Sequence, residues 1–530
     1  MSSAAPLSAG RVETVRLSLV KSVFASVGRL LSVPSTLVVA QWLGPFNLGL
    51  LAMARVVQQY VGYAHLGALD ALVRNVPIAR GRGDHADARA VTDIVFTVHA
   101  ATTVLGAALI TGLYATGITL DGLLNGTRLA LLLLIIVTGA ALTFLRDYSK
   151  AEGQLMVIAK VDALMVLSLP VVTILMTLQW GLTGALGTVV ATNAVAIAQY
   201  FFLLPTVQVR VRVEPRRTVA LIAVGIPVFI NKVSDTLFWS VDLLVIWWLM
   251  TPAEVGVYNL ALSALLIVTP FLGGINQTVY FKIMRDTGTH GAGDHRRYAR
   301  YTEAPLVCYM LATSLALGAV TLTWMLVVRL VLPGYASSVE PLVILGGGYM
   351  IYSSMLFMKY YLDATGQLLR RFPIIAGAFV VNGVLDATAI TLGFGLNGVA
   401  WASAATFAVT ALAILVLCFG QIHGSWRPAV GFLARTVAIS GACTAFLWFA
   451  ASPFIGDTAG SWSELRPWAW GMADLALKAV LYAGLCVGAY FACFRSYHIE
   501  TELAPLLRYV RDVVARRLPG RSHAMADTRA

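Results

Sequence analysis

Three basic residues lie inside stretches otherwise apolar enough for a lipid bilayer: Arg29 in 17–41, Arg55 in 48–76 and Lys232 in 219–249. A charge in hydrocarbon is costly, so such residues face a bundle interior or a watery cavity and mark substrate or ion pathways. Their neighbours are polar as well. Ser18, Ser22, Arg29, Ser32 and Thr36 fall within roughly 80° of one another on a helix, and Pro34 is placed to bend it. Arg55 and Gln59 are one turn apart, followed by Gly62, with Gln58 and His65 flanking. Lys232, Asp235, Thr236, Trp239 and Asp242 are linked by i+3/i+4 steps. The chemistry this suggests is a cationic lumen that receives an anionic group and repels cations. The structural alternative is an internal ion pair, Lys232 with Asp235, that only holds helices together.

Asp235 and Asp242 are one heptad apart and are read as facing the same lumen as Lys232. Either could bind a proton or sodium ion in one state and pair with lysine in the other. The static alternative has Asp235 neutralising Lys232 and Asp242 closing a local hydrogen-bond network. Asn382 and Asp386, one turn apart near the outer end of a later span, form either a cation site or a hydrogen-bonded pair. His99 reads as a satisfied polar residue. Arg146 and Lys359 sit at helix ends, where snorkelling explains a basic side chain. All five cysteines lie in apolar runs without metal or redox spacing and read as packing residues, so neither a metal nor another cofactor is expected.

Other chemistry is excluded. No G-x-x-x-x-G-K-[ST] run occurs, so no P-loop in this chain drives it with ATP; H-E-x-x-H and G-x-S-x-G are absent too. A membrane glycosyltransferase or polymerase needs acid, base or metal groups outside the bilayer, and the loops leave little room for them. The chain therefore reads as a non-enzyme.

The elements that must position these residues are membrane helices. The chain is 58% hydrophobic and only 12% charged, with mean hydropathy +0.78, about half the usual charged share of a soluble protein. Fourteen candidate spans follow: 17–41, 48–76, 91–115, 128–147, 157–179, 184–205, 219–249, 255–281, 304–331, 341–361, 373–393, 398–420, 432–452 and 473–494. With the N-terminus inside, basic residues alternate as the positive-inside rule requires. Arg80, Arg82 and Arg89, Arg210–Arg217, Lys282–Arg300, Arg370 and Arg371, Arg427 and the tail fall inside. Arg128, Arg329 and Arg466 fall outside. Both termini are expected in the cytoplasm of a bacterial inner membrane. The net charge of +12 then follows from topology and anionic lipid, with no nucleic-acid partner. The external stretch 452–471, with Trp462, Trp468 and Trp470, reads as an interfacial anchor. Leu503, Leu506, Leu507, Val510, Val513 and Val514 opposite Arg508, Arg511 and Arg516 read as an amphipathic helix on the inner leaflet.

The chain also repeats itself. FLRDYSKAEGQL (144–155) returns as FMKYYLDATGQL (357–368), at an offset of 213, so Arg146 and Lys359 are equivalent. LGPFNLGLL (43–51) pairs with MTPAEVGVY (250–258), matching Pro45 with Pro252 and Gly49 with Gly256. WGLTGA (180–185) pairs with FGLNGV (394–399), and ATNAV (191–195) with ATFAV (405–409). Two copies of six spans enter the membrane in the same orientation, an arrangement transporters use. The expectation is an all-α polytopic membrane protein of about fourteen transmembrane helices: a six-helix bundle at 1–208, a second at 209–422, two extra spans at 423–495 and an amphipathic cytoplasmic tail at 496–530. At the repeat offset Thr236 lies opposite Arg29 and Trp239 opposite Ser32, so one shared cleft should hold Arg29, Arg55 and Lys232, with Ser22, Ser32, Gln59, Thr236 and Trp239 as its polar lining.

WLGPFNLGLLAMA (42–54), Asp242 followed by MTPAEVGVYNLA (250–261), DATGQLLRR (363–371), Asn382 and FGLNGVAWASA (394–404) together resemble the polysaccharide transporter family, the Wzx-type flippases of lipid-linked oligosaccharides. The resemblance spans the first twelve helices. It implies the multidrug/oligosaccharidyl-lipid/polysaccharide exporter superfamily, with two six-helix bundles around a V-shaped cavity open alternately to either side. It implies undecaprenyl-pyrophosphate-linked sugar units as substrate, for O-antigen (lipopolysaccharide), capsule or exopolysaccharide, and polymerase and chain-length components as partners. Arg29, Arg55 and Lys232 are suited to a pyrophosphate. The related lipid II flippases also have fourteen spans, the last two forming a lipid-tail groove. Competing readings are a cation-coupled multidrug exporter of the same superfamily, which should avoid three basic side chains in its lumen, a membrane-embedded glycan-assembly enzyme, and a scaffold recruiting glycosyltransferases.

Overall fold

The chain is described here from a computed structural model, covering residues 9–117, 122–204, 207–291, 293–299, 303–455 and 468–495, with side chains from residue 32 onward except at a few positions near 270–278, 368, 452–455 and 468–472. The external tryptophans and the amphipathic tail at 503–516 lie outside the described side chains.

Among the described residues the secondary structure is helical, without strands: α1 (Ala9–Gly62), α2 (Ala68–Gly81), α3 (His85–Ala115), α4 (Gly126–Ala151), α5 (Leu155–Leu203), α6 (Pro215–Leu249), α7 (Pro252–Leu266), α8 (Val268–His290), α9 (Ala304–Leu330), α10 (Val339–Ser353), α11 (Leu356–Ala364), α12 (Phe372–Thr391), α13 (Gly395–His423), α14 (Arg427–Ile455) and α15 (Trp468–Cys493). Eleven helical stretches are long and apolar enough to cross a membrane. Two of these are doubled. α1 breaks at Gly44 (φ 68°) and α5 at Gly181 (φ 56°). α7 and α8 together supply one more crossing in two pieces. With α1 continuing through a short turn into α2, the helices follow the fourteen spans read from hydropathy, and the protein is a multi-pass membrane protein.

Local sequence explains the punctuation. Thr251 opens α7 with a capping box to Glu254 and Pro252 at the first turn, a pairing that satisfies orphan backbone donors. Asp84 caps α3 by accepting the Asp87 N–H at 2.8 Å. Left-handed glycines recur at the repeat offsets: Gly153 and Gly366 (φ 73° and 70°), then Gly181 and Gly395 (φ 56° and 58°). Only a residue without Cβ adopts that backbone at low cost. The tightest turns of the first copy are therefore rebuilt in the second. The span carrying Arg55 also breaks, at Leu66 (φ 50°) and Gly67 (φ 91°), and its repeat partner breaks between α7 and α8.

Packing follows the duplication. α1 lies on α5 and α4 on α5 in the first half; α10 lies on α13, and α12 on α13 and α6, in the second. The halves meet where α1 crosses α7 and where α2 crosses α6. α14 and α15 attach to the second half through α9 and α10. There Ser440 donates to the Gly347 carbonyl at 2.6 Å, Tyr482 donates to the Ser314 carbonyl at 3.0 Å, and the Tyr482 ring lies over Gly318 where a Cβ would stand.

Candidate functional site

Two chambers open between and beside the halves. The first, about 350 Å³, is lined from α1 by Arg55 and Gln59, from α6 by Asp235, Thr236, Trp239 and Ser240, and from α7 by Asn259 and Ser263. The second, about 270 Å³, lies within the second half and is lined by Asn276, Tyr309, Tyr349, Tyr352, Lys359 and Arg371 among others. Asp235, Trp239 and Leu266 line both, so one turn of α6 forms the wall between them.

Four of the sequence-derived residues, Arg55, Gln59, Thr236 and Trp239, come together in the first chamber. Gln59 Nε2 lies 3.4 Å from Thr236 Oγ1, across the two halves, and Tyr63 OH lies 2.6 Å from the same oxygen. Tyr60 and Ser240 make a second such bridge at 2.8 Å. Arg55 is exposed to the chamber and makes no ion pair among the described residues. An arginine in a chamber without an ion-pair partner is a positive charge available there to an incoming anion. Ser32 is half-buried on α1, about three turns before the Gly44 break. Arg29 and Ser22 lie on the α1 backbone, but their side chains fall outside the described residues.

The ion pairs differ from those expected. Lys232 does not pair with Asp235. Its ammonium bonds Asp70 of α2 across the two halves, with the lysine half-exposed and the aspartate buried. Residues three apart on one helix are neighbours, yet the α2–α6 crossing at Gly67 and Gly225 brings a carboxylate from the other half closer. A Cβ on Gly225 would stand 2.0 Å from the Gly67 carbonyl oxygen, so the two backbones touch there. Asp235 instead faces the second chamber, held by Lys359 at 2.9 Å and by Arg371. Lys359 is thus no snorkelling residue. α10 ends at Ser353, and the short α11 that follows carries Lys359 inward; its repeat counterpart Arg146 pairs locally with Asp162 at 2.8 Å. Arg371, in the turn before α12, is 3% exposed, and nothing in its sequence context distinguishes it from the loop charge Arg370.

Asp242 departs from the lumen-facing reading and takes its alternative, a place in a local hydrogen-bond network. It does not line either chamber but points into the second half. There it accepts from Tyr258 OH at 2.5 Å, Asn382 Nδ2 at 2.6 Å and Ser403 Oγ at 2.7 Å. Asn382 Nδ2 also reaches Asp386 at 3.3 Å. Asp242, Asn382 and Asp386 are all buried, and Asn382 Oδ1 and Asp386 Oδ1 find no donor among the described residues. Two carboxylates and an amide oxygen thus converge with no cation beside them among the described residues, an arrangement that buried charge does not tolerate without a proton or ion. No group of three or more His, Cys, Asp and Glu side chains gathers among the described residues.

In the first half, His65 Nδ1 accepts the Gly67 N–H at 3.1 Å and His99 Nε2 lies 3.0 Å from the Ala140 carbonyl oxygen. The two rings meet edge-on at 5.7 Å. Both line the mid-span break rather than a chamber.

No family model matches the sequence, and no curated protein matches it either. Solved structures do. "Lipid II flippase MurJ, inward closed conformation" superposes with a TM-score of 0.60 at 13% identity, over 89% of this chain and 99% of that one. A "multidrug resistance MATE family transporter of the MOP superfamily" in the inward-facing conformation gives 0.51 at 14%, over 78% and 95%. The MATE multidrug transporter DinF-BH gives 0.52 at 16%, over 77% and 95%. This chain has the fold of that superfamily.

Proposed function

We propose that this chain is a flippase that moves undecaprenyl-pyrophosphate-linked oligosaccharides from the inner to the outer leaflet of the bacterial inner membrane by alternating access, for O-antigen, capsule or exopolysaccharide synthesis, and that it is not an enzyme. The observation that carries this reading is the Arg55 guanidinium, which makes no ion pair among the described residues, in a chamber between two pseudo-symmetric halves. A pyrophosphate matches its fork-shaped donors, whereas a cationic drug would be repelled. The flippase structure also covers a larger share of this chain, 89%, than the multidrug transporters do, 78% and 77%. Arg29 and Lys232 complete the cationic set in this reading, with Lys232 released from Asp70 as the halves part. Both termini face the cytoplasm, and polymerase and chain-length components of a glycan export system are the expected partners. A proton or sodium ion at Asp242 and Asp386 supplies the second ligand that uphill movement needs; Asp235, held by two cations, is the weaker coupling site.

The test is flipping of a fluorescent undecaprenyl-pyrophosphate-linked sugar in reconstituted vesicles. Wild type should expose the label to an external quencher, and Arg55→Ala should slow it about tenfold or more, since one charge-assisted contact is worth roughly 1.5–3 kcal/mol. Efflux of cationic dyes by wild type with no flipping would instead identify a multidrug exporter.

A further inference from the structure

The two chambers differ in kind. In the first, Arg55 makes no ion pair among the described residues, although Asp235 also borders that chamber. In the second, Lys359 and Arg371 share the one carboxylate of Asp235, so each cation already has a partner. What the second chamber adds is aromatic rings and uncharged polar groups. Trp239 is half-buried with its ring 5.9 Å from Tyr349 and 5.6 Å from Tyr352, and Tyr309 lines the chamber too. Two buried polar atoms on its lining have no partner among the described residues: Asn276 Oδ1, an acceptor, and Arg371 Nε, a donor. Unsatisfied buried polar groups are rare and mark where something else bonds.

An aromatic face carries negative charge density and attracts polarised C–H bonds. A sugar ring presents such C–H bonds on its faces and hydroxyls on its rim, each hydroxyl both donor and acceptor. The chamber, about 270 Å³, is near the lower end of small-molecule sites. We infer that this second chamber is a glycan subsite: Trp239 and its tyrosines take the face of the lipid-proximal sugar, and Asn276 and Arg371 take its hydroxyls. The pyrophosphate meanwhile rests on Arg55 in the adjoining chamber. Trp239 and Asp235 line both chambers, so the two subsites adjoin. This rests on the lipid-linked glycan reading given above, and it assigns the part of that substrate which Arg55 cannot recognise.

The measurement is binding to the full chain in lipid nanodiscs of a short prenyl pyrophosphate, bare or carrying one hexose, one N-acetylhexosamine or one 6-deoxyhexose. Wild type should bind at least one sugar-bearing form roughly tenfold more tightly than the bare form, the scale of one or two net hydrogen bonds. Asn276→Ala and Trp239→Ala should bring that ratio to within about twofold, on the same scale, whereas Trp239→Phe keeps most of it and Arg55→Ala weakens all forms alike. Thermal unfolding of each variant reports whether it is folded, and the ratio is read only within one preparation. Sugar-bearing and bare forms binding wild type equally would sink the glycan subsite but leave the flippase reading intact. An unchanged ratio in folded Asn276→Ala and Trp239→Ala sinks it as well. No binding of any form by wild type sinks the flippase reading itself.

Discussion

Gly49 and Gly256, equivalent positions of the two copies, each rest on the other copy's proline. A Cβ on Gly49 would stand 1.8 Å from the Pro252 carbonyl oxygen, and one on Gly256 would stand 2.0 Å from the Pro45 carbonyl oxygen. The obstacle in both cases is backbone, which cannot rotate away. This reciprocal contact lets α1 and α7 cross at backbone distance, as small residues do between membrane helices. Gly49→Ala or Gly256→Ala should force the crossing apart at a cost of about 1–3 kcal/mol. Distances between spin labels on the two halves at this end should lengthen in either variant. Unchanged distances in both would show that the contact does not hold this end shut.

Lys232 and Asp70 close the other crossing. Lys232 is half in solvent, so the pair itself contributes ~0–1 kcal/mol. The asymmetry matters more: Lys232→Ala leaves a buried carboxylate without a partner, a loss of about 1–3 kcal/mol. Expected in membranes is a clear fall in Lys232→Ala protein, near-normal Asp70→Asn, and recovery of Lys232→Ala by adding Asp70→Asn. Recovery by Asp235→Asn instead would mean that the lysine pairs within its own helix.

Asp235 should matter more to stability than either cation it holds suggests. Its removal strands Arg371, which is 3% exposed, and breaking a buried pair costs about 3 kcal/mol or more. Lys359 is more open, so its loss should cost under about 1 kcal/mol. Thermal unfolding in detergent should therefore rank Asp235→Ala well below Lys359→Ala. The reverse order would show that Arg371 finds another partner.

Asp242 and Asp386 form the test of coupling. Each is replaced by Asn, which keeps the shape and one acceptor oxygen while removing the charge. With a proton or sodium gradient imposed on vesicles, flipping by wild type should accelerate, and flipping by Asp242→Asn or Asp386→Asn should lose that dependence. Asp235→Asn should keep it. Retained gradient dependence in both Asp242→Asn and Asp386→Asn moves the search to His65 and His99.

Much of this is legible in the residues because membrane constraints are severe. An apolar run long enough to span has to be a helix in a chain of this kind, and the duplicated motifs predict duplicated turns, which Gly153 with Gly366 and Gly181 with Gly395 provide. Arg55, Gln59, Thr236 and Trp239 stand out because helical spacing gives the face of each helix. Partners are another matter. Periodicity does not say how one helix is rotated against the next, so it matches Lys232 with the nearest carboxylate on its own helix rather than with Asp70 from the other half. The same ignorance turns Asp242 toward the lumen. Arg371 and Lys359 look like inside-loop charges because the interruption between α10 and α11, which aims Lys359 at Asp235, leaves no mark on hydropathy.

The break at Leu66 and Gly67 divides one crossing into two levers. One lever ends at the Gly49 contact, and the other, α2, carries Asp70. A continuous rod would transmit any tilt from one leaflet to the other, so releasing one end would disturb both. A jointed one does not. In the proposed alternating access, α2 leaves α6 while α1 stays seated on α7, so one entrance opens while the opposite one remains sealed and the pore never becomes a leak.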